Sequence, residues 1–196
     1  MIWWYRGRRL TAIVLPGLLA FTLLAAVAHG ESVALPGLVT SGGSLLFLMH
    51  LTPLIVTGTL AHSLAQRLPE SEDLSVRPVR RYDVTLALLT VAVAASAAGV
   101  IGTLADSAPA YEAARNTLFL AGLMLLGGAV HPQAATVAPV AWVFIAAFAG
   151  YRDFRRPWPW AVTLHPAGYV PTFLFCLAVF LCGLLALRHT RRRPTS

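Results

Sequence analysis

The stretch VTLALLTVAVAASAAGVIGTL, Val84 to Leu104, decides the fold class: it is long enough to cross a bilayer and holds no charged residue. A helix crossing about 30 Å of hydrocarbon needs roughly 20 apolar residues and satisfies all its backbone hydrogen bonds internally. Working outward, the same reading recurs along the chain, from Leu10 to Ala28, Gly43 to His62, Asn116 to Val130, Ala134 to Gly150 and Tyr169 to Leu187. The expectation is an all-α, polytopic integral membrane protein. It forms a single transmembrane domain of six spans, with a connecting loop at 63–83 between the second and third.

Composition points the same way. Of 196 residues, 57% are hydrophobic and 12% charged, with a mean hydropathy of +0.70, whereas a soluble domain carries roughly 25% charged residues. Spans and short connections use up the length, leaving no stretch for a soluble domain with a core of its own. The N-terminal run reads as a retained first span rather than a cleaved leader, since no clear small-residue cleavage pattern follows it.

The net charge of +7 is carried by Arg beside hydrophobic ends, without any Lys. Such placement fits the positive-inside rule better than a nucleic-acid surface, which would need a solvated face, and no nucleic-acid partner is expected. With the N-terminus inside, Arg6, Arg8, Arg9, Arg67, Arg77, Arg80, Arg81, Arg188, Arg191, Arg192 and Arg193 are cytoplasmic, and Arg115, Arg152, Arg155 and Arg156 are outside. Both termini are therefore expected in the cytoplasm, at the plasma membrane. A five-span arrangement, with the fourth and fifth segments forming one re-entrant hairpin, would move 151–168 inside. Cys176 and Cys182 share the last apolar run about 9 Å apart, beyond the roughly 7 Å limit for a disulfide.

Chemistry inside a membrane normally declares itself through ionisable residues in the spans, each costing a few kcal/mol at the bilayer centre. His50, in LFLMHLTPLIV, is the one titratable side chain read as lying inside a span, with Thr52 and Pro53 after it, and no Asp or Glu is. His50 is either a proton or ligand contact on a pathway or, the favoured reading, a helix-to-helix hydrogen bond beside a Pro-induced bend. The other five histidines lie near span ends without HxxxH or HExxH spacing, and there is no GxSxG elbow. No catalytic, cofactor-binding or metal-binding residue is assigned, and the chain is not read as an enzyme. In the third span, the pairs Ala95/Gly99 and Ala98/Gly102 have the small-xxx-small spacing that lets helices approach closely.

The most informative connection is AHSLAQRLPESEDLSVRPVRRYD, Ala61 to Asp83. Leu68 and Leu74 offer apolar contacts, Glu70, Glu72 and Asp73 form an acidic knot, and Arg77, Arg80 and Arg81 a basic one. With Pro69 and Pro78 breaking it, a short surface helix is expected. In position and character this segment resembles the cytoplasmic coupling helix of type-2 ATP-binding-cassette (ABC) export permeases. In that family six spans have both ends inside. Members also place short re-entrant or surface helices on the outer side before the last span, where Arg152, Arg155, Arg156, Trp158 and Trp160 fall here. The resemblance implies an ABC exporter permease subunit for a hydrophobic or amphipathic cargo. Its implied partners are a cytoplasmic ABC ATPase, a second permease copy or paralogue, and membrane lipid; the GxxxxGK[ST] loop for ATP would be on the ATPase. The competing reading is a non-transporting scaffold or regulatory subunit that binds anionic lipid or a cytoplasmic partner.

Overall fold

The computed structural model describes residues 10–28, 32–35, 44–66, 79–153 and 156–189. These residues form six α-helices: α1 (Leu15–Ala28, led in by a π-helical turn at Leu10–Val14), α2 (Pro53–Ala65), α3 (Val79–Leu104), α4 (Ala108–Val130), α5 (Ala134–Ala149) and α6 (Val170–His189). Two small antiparallel hairpins complete them, β1 (Ser32–Leu35) with β2 (Ser44–Phe47) and β3 (Tyr151–Asp153) with β4 (Arg156–Pro157).

Among the described residues, three helical segments are long and apolar enough to cross a membrane: Arg80–Leu104, Ala108–Val130 and Val170–His189. Three shorter apolar helices cover Ala12–Ala28, Pro53–Ala65 and Ala134–Ala149. Their outward faces are greasy. α1 exposes Leu15, Leu19, Leu23 and Val27, a stripe at helical spacing, and α6 exposes Phe173, Leu174, Phe175, Leu181 and Leu185. Water would not tolerate so much contiguous apolar surface, and the chain is accordingly a membrane-associated all-α protein.

The bundle is organised around α4, which is buried on nearly every side, from Ala110 and Ala113 through Leu120, Ala121 and Gly122 to Met124 and Leu125. α4 runs parallel to α2, since His50 lies by Glu112 at one end while Leu60 and Leu64 cluster with Ala121 and Met124 further along. It is also parallel to α6, with Phe119 against Phe175 and Leu125 against Gly183. α3 and α5 are antiparallel to it: Gly102 meets Tyr111 and Val91 joins Met124, while Phe119 meets Trp142 and Gly127 meets Ala134. α1 is antiparallel to α2, placing Gly17 by Thr59 and Ala25 beside Met49. Helix directions therefore alternate along the chain. One end of the bundle, the tail end, collects the start of α1, the end of α2, the start of α3, the α4–α5 turn and the end of α6. The other, the cap end, collects residues 48–52, the α3–α4 turn and residues 150–153 and 156–169.

Several boundaries differ from the sequence expectation. The second helix starts at Pro53, not Gly43, because Ser44–Phe47 is extended and Leu48–His50 is a 3-10 turn; proline is pre-organised for the first helical turn. α3 starts five residues before Val84 and α4 eight residues before Asn116, again with a proline, Pro109, in the first turn. Asp106 makes the tight turn between them, in the left-handed region with φ 46°, which Asp tolerates better than most residues. With these earlier starts Asp83 and Glu112, expected in the connections, belong to helices long enough to cross. The small-residue face of α3 is also only half used. Ala98 packs with Phe21 of α1 and Val56 of α2, and Gly102 against Tyr111 of α4, whereas a Cβ on Gly99 would meet open space.

Candidate functional site: a buried polar knot beside an apolar groove

The first turns of α4 read YEAARNT. Glu112, Arg115 and Asn116 fall at i, i+3 and i+4, hence on one helical face. That face is turned inward: Arg115 is 3% exposed and Asn116 is fully buried, so both need partners within the protein. The partners come from the connection before α6. There, after β4, Pro159 and Pro166 interrupt regular structure, leaving a single 3-10 turn, Val162–Leu164, and the side chains of Ala161, Val162 and Leu164 are buried.

A cap built this way holds carbonyls that no helix or ladder satisfies. Arg115 supplies the donors: its Nη1 donates to Pro166 O at 2.9 Å and its Nη2 to His165 O at 2.7 Å. Asn116 Nδ2 donates to Thr163 O at 2.9 Å. Glu112 provides the countercharge beside Arg115 and accepts the Ala167 backbone N–H. On its other side Glu112 Oε2 lies 3.5 Å from His50 Nε2, with His50 5% exposed. Tyr151, just past α5, completes the surround, its phenol pushed up by burial and then by the Glu112 charge. Thr52, also buried, donates its hydroxyl to Met49 O at 2.9 Å and holds the turn that presents His50.

Chemically, this knot fastens four chain segments at the cap end: residues 48–52, the start of α4, Tyr151 and the 161–167 connection. Arg115 is committed to backbone carbonyls, so it acts as a clamp rather than as a ligand for a passing anion. Among the described residues no group of three or more His, Cys, Asp and Glu side chains is placed to hold a metal ion. Cys176 is buried beside Phe119 and Leu120, while Cys182 is exposed, on another face of α6.

Beside the knot lies an apolar groove of about 650 Å³, along the seam of α4, α5 and α6. Phe119, Leu123, Trp142, Trp160, Phe175 and Val179 are among its walls. Trp142 sits between two aromatic neighbours, 5.0 Å from the Phe119 ring and 6.1 Å from that of Trp160. Just outside, Arg152 stacks over Trp158 with its guanidinium carbon 5.3 Å from the ring centroid.

The expected site residues fall at both ends of the bundle. His50, Thr52 and Pro53 are at the cap end, with His50 at the knot rather than midway along a span. Arg152, Arg156, Trp158 and Trp160 lie in a two-strand hairpin and cap instead of the re-entrant or surface helix the resemblance implied, the closely spaced prolines being the reason. Arg80 and Arg81 are exposed on the first turns of α3, at the tail end. Leu68, Glu70, Glu72, Asp73, Leu74, Arg77 and Arg155 lie outside the described residues. Glu112, Arg115, Asn116 and Tyr151, which form the knot, were not among the expected site residues. No protein-family model, no curated protein and no solved structure matches the chain.

Proposed function

We propose that the chain crosses the plasma membrane six times with both ends in the cytoplasm and serves as the membrane subunit of an ABC exporter of the type-2 kind. The observation carrying this reading is the alternation of the six helices. It brings both ends of the described chain, Gln66 and Val79 on either side of the connection between α2 and α3, and the exposed Arg80, Arg81 and Arg188 to one face, the arrangement a cytoplasmic ATPase would need. Closure of an ATPase dimer would push on the 68–81 segment and rock the helices as rigid bodies. A pathway for a hydrophobic or amphipathic cargo would form between two copies or paralogues, because the helices of one copy pack around α4.

That same central packing of α4 favours a second reading, a non-transporting scaffold or regulatory subunit whose Arg-rich end holds anionic lipid or a cytoplasmic partner. Purification from the native host in mild detergent, with mass spectrometry of what accompanies the chain, separates the two. The exporter reading expects a stoichiometric ATPase that is lost when Arg77, Arg80 and Arg81 are replaced by Ala. Its absence, under conditions that preserve other membrane complexes, selects the scaffold.

The six-span arrangement has its own test. In a chain with Cys176 and Cys182 replaced by Ala, a membrane-impermeant maleimide added to intact cells is expected to label Asp106→Cys, in the α3–α4 turn. Gln133→Cys, in the α4–α5 turn, should react only after permeabilisation. The reverse pattern would invert the topology, and labelling of both from outside would mean that α4 does not cross.

A further inference from the structure

We infer that the groove between α4, α5 and α6 is a binding site for an anionic phospholipid, with an acyl chain along the seam and the headgroup phosphate on Arg152 and Arg156. The inference rests on the membrane-crossing part of the proposed function and not on its ATPase. The groove has the volume of a small-molecule site, where pockets run roughly 300–1,000 Å³. Its walls are almost wholly hydrocarbon and aromatic, so it selects for apolar matter rather than polar solute. It is also elongated: between Tyr169 and Val179 on α6 the seam runs about 15 Å at 1.5 Å per residue. Several of its walls, Phe175, Trp160 and Tyr169 among them, are exposed to the outside of the bundle. The groove is thus open on the face that lipid covers, and an acyl chain enters without crossing the protein.

The mouth specifies the headgroup. Trp158, Pro159 and Trp160 turn directly from β4 onto the groove, with Trp160 and Tyr169 half exposed at its cap end, the level at which amphipathic aromatic rings settle in a bilayer. Arg152 is held over the Trp158 ring, one residue from the groove lip at Pro159, and Arg156 is exposed two residues before Trp158. Positive charge here runs against the bias that gathers Arg at the tail end. Topology alone therefore does not account for it, and a phosphate held at the lip does. Each Arg near an anionic surface adds attraction equivalent to roughly a five-fold preference.

The test uses the full chain with Trp3, Trp4 and Trp158 replaced by Phe, so that Trp142 and Trp160 report on the groove. It is reconstituted in phosphatidylcholine vesicles containing a minor fraction of phosphatidylglycerol, with bromine on the acyl chains of one lipid or the other to quench tryptophan. The expected result is quenching by brominated phosphatidylglycerol roughly five-fold or more in excess of that by brominated phosphatidylcholine at the same fraction. That excess should vanish in the Arg152→Gln, Arg156→Gln double variant and in Val179→Phe, which fills the groove. It should persist in Arg80→Gln, Arg81→Gln, at the opposite end. Equal quenching by the two lipids overturns the inference. So does an excess that survives the cap-end variants, or one lost in the tail-end variant. Recovery of an ATPase with the chain, or its absence, leaves this measurement untouched, so the two proposals fail separately.

Discussion

Replacing Arg115 with Met is expected to destabilise the protein more than any other single change at the cap end. The guanidinium is buried and makes close hydrogen bonds to two carbonyls, Pro166 O and His165 O. Met fills most of the same space, so the loss is not one of packing. It removes the short bond to His165 O, leaves Pro166 O with the Tyr169 N–H alone, and takes from Glu112 the charge beside it. A hydrogen bond from a charged donor is worth about 1.5–3 kcal/mol, so the loss of these two costs about 3–5 kcal/mol. For a chain of this length each kcal/mol moves the melting temperature by about 2–4 °C, so a thermal melt in mild detergent should fall by about 6–20 °C. Limited proteolysis gives the local readout: cleavage between Tyr151 and Tyr169 should appear well below the melt, because that connection has lost its fastening. Arg115→Lys should recover only part of the loss, since one ammonium replaces a planar fork that serves two carbonyls. Asn116→Ala, which removes the bond to Thr163 O and the longer one that its Oδ1 accepts from Arg115 Nη2, should cost about 1–3 kcal/mol. A melt of Arg115→Met indistinguishable from that of the unaltered chain would show that the cap is held by packing alone.

How much of this was legible in the sequence depends on which force decided each element. The apolar runs could be read, because hydrocarbon selects composition over about 20 residues and little competes with it. Their starts are not legible in hydropathy, because a charged residue reads as a sign of water. Asp83, Glu112 and Arg115 pulled the expected starts of α3 and α4 inward, although the helices extend through them. A capping signal was present for α4, since Ser107 followed by Pro109 is a common opening for a helix. Given that start, Glu112, Arg115 and Asn116 fall on one face by spacing alone. The partners of Arg115 and Asn116 are beyond reach, as they are backbone carbonyls some fifty residues away in a proline-broken connection that carries no period. His50 was noticed for its chemistry, but its neighbour Glu112 had been assigned to a loop, so the pair could not be seen. The groove was illegible for a related reason: it belongs to three helices, and each of its side chains looks like ordinary lipid-facing surface until the helices are brought together.

The same limit applies to glycine, and it sets up the other large expected effect. Spacing marks Gly99 and Gly102 as packing positions, yet it is Gly122 of α4 and Gly183 of α6 that bring the main chains of two helices distant in sequence into direct contact. A Cβ on Gly122 would lie 2.8 Å from backbone atoms of Val179 and Phe180, and one on Gly183 would lie 2.9 Å from Gly122 O. These neighbours are main chain and cannot rotate away. In a bilayer no hydrophobic force drives helix against helix, and close contact between small residues takes its place. Gly122→Ala must therefore push α4 and α6 apart along the seam, loosening the Phe119–Phe175 and Leu125–Gly183 contacts, at a cost of about 1–3 kcal/mol. Gly122→Leu should prevent the two helices from docking and leave no monodisperse protein in mild detergent. Gly99→Ala tests whether space, rather than helix propensity, is responsible. It puts the same methyl into open room, and alanine is the better helix former by about 1 kcal/mol, so its melting temperature should hold or rise slightly. Opposite signs for one substitution at two helical glycines would place the tight seam at α4–α6. Equal effects would mean that the two helices meet less closely than the main-chain positions imply.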